Sequence, residues 1–303
     1  MSSDHRRRAL RIRSSRVAAV GLALTLLTAS AVAASTRTAR TTKHSGTVTV
    51  LYAGSLIGLM LNSVAPAFHQ ATGYTMIGFG AGSTALANQI KGGTQVGDVF
   101  ISASPTADAL LEGTSNGSWV SSYKVFGTSG LVLGYNPGST FVHDLKTMPW
   151  YNVIDLSGFL IGRTDPATDP KGVLTVNAIN GVALSYGVPA LTSVLSTNSN
   201  VFPEQSLVGR LQAGQLDAGF FYRVEAISAG LKVVPLTGVG LGATYTIALL
   251  ANAPHTAAGR AFVAFLLSKN GRKILRSNGV VPIVPPTVVP YTPSPTTTTT
   301  AAG

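Results

Sequence analysis

Short apolar, β-branched runs that break at a Gly/Ser turn and give way to a helical pattern recur through the first part of this 303-residue chain. Residues 47–53 (TVTVLYA) end at Gly54-Ser55, and apolar positions Leu56, Leu59, Met60, Val64 and Phe68 follow at helical spacing until Gly73. A second run, 74–79, turns at Gly80-Ala-Gly-Ser83 into a helix predicted over 84–91, closed by Gly92-Gly93. A third, 96–101, passes through 102–105 into a helix reaching Leu111. Strand–helix alternation of this kind predicts a parallel sheet covered by helices. Further strands are predicted at 130–135, 159–162, 217–222 and 244–251, and helices at 172–186, 206–214 and 257–270.

The junctions carry small or helix-opening residues: Gly54-Ser55, Gly82-Ser83, Asp169-Pro170 and Pro203-Glu204. Ser, Asp and Pro suit N-caps and first-turn positions. Helix N-termini also offer unpaired N–H groups and a positive dipole end, so a cleft where several converge binds anions. Plain capping and anion binding are both open to these residues.

The ends differ from the interior. Arginines from Arg6 to Arg16 precede an apolar stretch from Val17 to Leu27 and the small residues Ala31-Val32-Ala33. That order predicts a secretory signal over 1–33, cleaved after Ala33 or retained as an anchor. Residues 34–45 read as a flexible lead, and 285–303, rich in Pro and Thr, as a disordered tail.

The formal charge of +11 belongs mostly to the N-terminal end. Without residues 1–33, which hold six arginines and Asp4, it is +6; without Arg37, Arg40 and Lys43 as well it is +3. The interior is nearly balanced, which argues against nucleic acid as a partner. With no Cys there is no disulfide, thiolate ligand, cysteine nucleophile or lipid-modified cysteine. No G-x-S-x-G, P-loop or H-E-x-x-H occurs, and His69, His143 and His255 stand alone, so an enzyme is not expected.

Several segments, in order, resemble the molybdate/tungstate-binding proteins of ABC importers, extracellular solute-binding proteins of the type II periplasmic-binding fold. They are Val50-Leu-Tyr-Ala-Gly-Ser-Leu56, Gly80-Ala-Gly-Ser-Thr-Ala-Leu-Ala-Asn-Gln-Ile90 and Gly97-Asp-Val-Phe-Ile-Ser-Ala-Ser104, then Gly162-Arg-Thr-Asp-Pro-Ala-Thr-Asp-Pro-Lys-Gly172 and the stretch 211–222 (LQAGQLDAGFFY). The resemblance covers most of 47–284. It implies an α/β fold of two lobes, each a mostly parallel sheet flanked by helices, with the ligand cleft between them. Lobe one would be 46–126 plus 243–284 and lobe two 127–242, joined by crossings near 126–131 and 239–245.

Carried over by position, Ser55 and Ser83 would each give a hydroxyl and a backbone N–H to an oxyanion. Lys171 and Glu204 would give backbone N–H groups, and Tyr222 its hydroxyl. Tyr222 is equally open to a role as a core tyrosine, and Glu204 to complementing its helix dipole. The archaeal-type branch is similar but places two carboxylates at the metal. Asp169 matches the first, while the second falls on Phe221, which cannot ligate. Asp169 is therefore expected as a cap or hinge residue near the site, and the oxyanion as tetrahedral. The implied ligand is molybdate or tungstate, with no cofactor and no free metal cation. The implied partners are a permease and its ATPase, for an exported, monomeric protein in the periplasm or at the cell surface. Alternatives are a sulfate- or phosphate-binding protein, a receptor-like protein without ligand, or an exported hydrolase.

Overall fold

The computed structural model describes residues 44–293. The expected signal and all but the end of the lead lie outside that range. Strand β1 (Thr47–Ala53) runs through a 3-10 turn at Gly54–Leu56 into α1 (Ile57–Leu59), a π-helical stretch Met60–Val64 and α2 (Ala65–Thr72). Next come β2 (Thr75–Ala81), α3 (Ser83–Lys91), β3 (Val99–Ser102), α4 (Pro105–Ala109) and the long β4 (Ser122–Tyr135). The middle of the chain forms α5 (Val142–Thr147), α6 (Trp150–Val153), β5 (Ile161–Gly162), α7 (Pro170–Ser185), α8 (Glu204–Gln212), β6 (Ala218–Tyr222) and α9 (Arg223–Ser228). It closes with β7 (Lys232–Pro235), β8 (Gly242–Leu249), α10 (Thr256–Leu267), α11 (Lys269–Ser277) and β9 (Val281–Pro290).

The strands hydrogen-bond in the order β2-β1-β3-β8-β4-β6-β5, with β7 and β9 also pairing β4. Pairing is parallel for β1 with β2 and β3, and for β5 with β6. The crossing strands join antiparallel: β8 with β3 and β4, and β4 with β6, β7 and β9. The sheet is thus mixed, because β4 and β8 return through it instead of being wound in by helices. β4 pairs β8 and β9 through residues up to Gly130 and β6 from Leu131 onward, so one strand belongs to both sections.

Burial explains the local patterns. β1 lies between β2 and β3 and is almost wholly buried, which is why it reads as an apolar run. β2 is an edge strand and leaves Ile77 and Phe79 exposed. Asp98 ties elements together: its carboxylate accepts the Thr49 N–H at 2.7 Å and the His255 N–H at the start of α10. Arg163 is buried and donates to Asn200 Oδ1 (2.9 Å) and to the Leu195 and Thr197 carbonyls. Both residues of the matching segments are structural.

Two expectations change. The helix predicted over 257–270 breaks at Ser268, whose Oγ accepts the Gly271 N–H at 3.1 Å and starts α11. The tail predicted from 285 is a strand as far as Pro290, with Thr287 to Pro290 opposite Val125 to Ser122. Proline removes a donor, and an edge strand tolerates that because one side needs no partner.

Candidate functional site

β1 and β2 are parallel, with Ala53 opposite Ala81, so Ser55 and Ser83 stand two residues beyond the same edge of the sheet. Ligands of open α/β sheets bind outside such carboxyl ends. Both serines are buried, at 1% and 0% exposure. Ser55 Oγ lies 3.0 Å from Tyr245 Oη. Ser83 Oγ accepts the Ala103 N–H at 3.0 Å, leaving its own hydrogen to donate. Glycine precedes each serine for a reason of space. A Cβ on Gly54 would stand 2.5 Å from Glu204 Oε2, and one on Gly82 would stand 2.5 Å from the Thr168 carbonyl oxygen. The two serine turns therefore press directly on the start of α8 and on the turn before α7.

Asp169 caps α7: its Oδ1 accepts the Lys171 N–H at 2.9 Å, with Pro170 in the first turn. This matches the expected cap role and corrects another expectation, since the Lys171 N–H is committed to the cap and not presented to a ligand. The Lys171 side chain is what matters here. It shares the buried face of α7 with Thr175, Ala178 and Val182. Its Nζ lies 2.7 Å from Glu225 Oε2, 3.4 Å from Glu204 Oε1 and 5.4 Å from the centre of the Phe221 ring. Burial disfavours its charge, but Glu225, Glu204 and Asp169 outweigh this and hold its pKa above the ordinary lysine value.

Glu204 opens α8 on the same face as Leu207 and Leu211, so its side chain points inward, 3% exposed. That periodicity was present in the sequence and argues against a surface carboxylate serving only the helix dipole. Burial, then the Asp169 charge, push the Glu204 carboxyl well above its usual range. Burial likewise raises Asp169 and Glu225. Tyr222, at the end of β6, is fully buried, its hydroxyl has no hydrogen-bond partner among the described residues, and burial raises its pKa. Its ring meets that of Tyr245 edge-on at 6.3 Å.

The structure thus links Ser55, Tyr245 and Tyr222 on one side with Asp169, Lys171, Glu204 and Glu225 on the other. Tyr245 and Glu225 were not foreseen. Tyr245 sits in a late strand with no local signal, and Glu225 lies one helical turn past Tyr222. A cavity of about 240 Å³ adjoins this cluster, bounded by Gly54, Ser55, Gly58, Glu204, Glu225 and Ser228. A larger open groove of about 570 Å³ lies elsewhere, between α2 and α11. Among the described residues, no group of three or more His, Asp and Glu side chains is arranged to hold a metal ion. Nor is any described helix long and apolar enough to cross a membrane.

Behind Ser83, the buried Asp108 Oδ2 accepts from Ser102 Oγ (2.9 Å) and Thr246 Oγ1 (2.6 Å). Burial pushes its pKa up to about 7, against those two hydrogen bonds and with help from Glu112. A carboxyl whose folded pKa exceeds its unfolded value gains nothing from ionising in place. Its contribution is unimpaired below pH ~4 and falls as the pH rises to about 7, by roughly 4 kcal/mol in full. Asp108→Asn, isosteric with the neutral acid, is expected to match the parent protein at pH 4 and exceed it in stability by a few kcal/mol at pH 8. Urea midpoints at the two pH values check this, and equal midpoints at pH 8 would mean Asp108 ionises freely.

Residues 48–281 match the family model described as bacterial extracellular solute-binding protein. A Haloferax volcanii protein named as an ABC transporter molybdenum-binding protein is 31% identical over 184 residues, covering 60% of this chain. The match spans 56% of that relative's length. The molybdate/tungstate-binding protein of Pyrococcus abyssi is 24% identical over 216 residues, covering 54% of this chain and 63% of its own. Among solved structures, the Azotobacter vinelandii periplasmic molybdate-binding protein superposes with a TM-score of 0.61 at 18% identity, covering 77% of this chain and 98% of that one. That superposition supports the two-lobed α/β fold. With the family match over more than half its length, this chain belongs to the bacterial extracellular solute-binding proteins.

Proposed function

We propose that the cleft binds a tetrahedral oxyanion, molybdate or tungstate, for delivery to an ABC permease driven by its ATPase. The observation that carries this reading is the Tyr222 hydroxyl, wholly buried and without a partner among the described residues, on the ring that packs against Tyr245, which bonds the Ser55 turn. Buried donors are normally satisfied, so an unpaired one beside further hydroxyls suits an acceptor-only ligand. Tyr245 can donate to Ser55 Oγ, freeing the Ser55 hydrogen for the ligand as Ala103 frees that of Ser83. Hydrogen bonds from neutral groups to a charged oxygen are strong in a dry cleft. In this reading the lobes 46–126 with 243–284 and 127–242 close about β4 and β8, and cavity size separates molybdate from the smaller sulfate. The relatives named for molybdenum or molybdate support the ligand class.

A second reading is favoured by Glu204: an ionised carboxylate at the ligand would accept a hydrogen bond from a protonated oxyanion such as hydrogen phosphate. Calorimetric titration of the full chain with molybdate, tungstate, sulfate and phosphate, after unfolding and refolding to strip bound anion, separates the two. Tight molybdate and tungstate binding without sulfate heat is expected, and silence toward all four discards the oxyanion reading. Phe221 is buried beneath Lys171 and offers no ligand atom. The metal-edge spectrum of the molybdate complex is accordingly expected to be tetrahedral.

A further inference from the structure

The compartment around Lys171 is overcharged with acid. Asp169, Glu204 and Glu225 are all buried, and Lys171 is the cation that faces them. Ionised together, the four carry a net charge of −2, and a dianion in the same dry space would bring this to −4. Like charges in low dielectric are relieved by proton binding.

The three carboxyls are not equivalent. Asp169 Oδ1 accepts the Lys171 N–H at 2.9 Å, and Glu225 Oε2 accepts from Lys171 Nζ at 2.7 Å; both bonds favour the charged form. Neither oxygen of Glu204 has a hydrogen-bond partner among the described residues. Its Oε1 stands 3.4 Å from Nζ, and its Oε2 faces Gly54 in the turn that carries Ser55. The groups facing it from neighbouring elements are Asp169 and Lys171 at the start of α7, Glu225 on α9, Tyr222 at the end of β6 and Tyr245 on β8. The Gly54-Ser55 turn adds no charge.

We propose that the oxyanion is bound together with one proton, taken from solvent and held on the Glu204 carboxyl, so that the neutral acid and not the carboxylate lies against the ligand. This rests on the reading of the cleft as an oxyanion site. Loading then consumes one dianion and one proton, and release returns both. A protonated carboxyl is a donor, so Glu204 selects fully deprotonated oxyanions over those that bring their own hydrogen. The burial that lifts the Glu204 pKa acts in the same direction.

The test is titration of the full chain with molybdate from pH 6 to 9, in buffers of different ionisation enthalpy, which counts the protons taken up per ligand. The count is expected to rise toward one as the pH increases. The affinity should fall toward tenfold per pH unit at the alkaline end. Glu204→Gln, which keeps a donor, should bind with a count near zero and a flat pH profile. Infrared difference spectra of the wild-type complex at pH 9 should show a new protonated-carboxyl band, which removes dependence on any variant. A proton count of zero throughout, or undiminished uptake in Glu204→Gln, overturns the proposal. Phosphate bound in preference to molybdate with no proton taken does so as well, because Glu204 is then an ionised acceptor. Absence of binding by any oxyanion at any pH defeats the underlying reading instead.

Discussion

Replacing Ser55 and Ser83 together with alanine is expected to weaken molybdate binding by about two to four powers of ten while the protein stays folded. In the proposed site each serine would give a hydroxyl to a charged ligand, and such bonds are worth about 1.5–3 kcal/mol apiece. The structural losses are separate from the binding losses. Ser83→Ala strips the buried Ala103 N–H of its acceptor, and Ser55→Ala strips Tyr245 Oη of its 3.0 Å partner. Each unsatisfied group costs about 1–3 kcal/mol, within a typical domain stability of about 5–15 kcal/mol. A thermal melt shows whether the double variant is folded, and titration of the folded material reads the affinity. A folded double variant that binds as tightly as the parent removes both serines from the site.

Lys171→Met is expected to destabilise the protein by about 3–5 kcal/mol, the typical effect of removing one member of a buried ion pair. For a chain of this size that lowers Tm by about 10 °C. Methionine fills much the same volume, so the loss arises from Glu225, Glu204 and Asp169 left without a cation. Two features separate this from a packing defect. The deficit should grow with pH as the carboxyls ionise, and adding Glu225→Gln should recover part of it by removing the charge that sits 2.7 Å from Nζ. An unchanged Tm at pH 8 would mean that the cluster is already neutral without its lysine.

What the sequence disclosed followed from local chemistry. The β1–turn–helix unit was legible because its apolar run, Gly54-Ser55 break and helical spacing all agree, and Asp169-Pro170 was legible as a cap because that role is decided within three residues. The Lys171 side chain was given no role, since a lysine in the first turn of a helix ordinarily reaches solvent. Its burial is decided by Glu225, more than fifty positions later. Tyr245 and Glu225 could not be placed at the site from sequence, because only the crossing of β8 and the turn after β6 bring them there. Residues 285–290 read as tail because proline density suggests disorder, but pairing with β4 satisfies an edge strand that lacks several donors. Glu204 was chosen for its backbone, whereas the inward course of its side chain was written in the Glu204, Leu207, Leu211 spacing.

The unbroken course of β4 bears on how the molecule comes apart. One strand supplies hydrogen bonds to β8 and β9 over its first part and to β6 and β7 over its last. The main apolar cluster runs beneath both, from Val48 and Phe68 through Leu133 and Trp150 to Phe262 and Val280, with smaller clusters around Phe100 and Phe221. Neither section can melt without stripping partners and buried surface from the other. Residues 44–293 are therefore expected to unfold as one cooperative unit, not as two fragments that each fold alone, and a ligand bound between the sections would protect all of it at once.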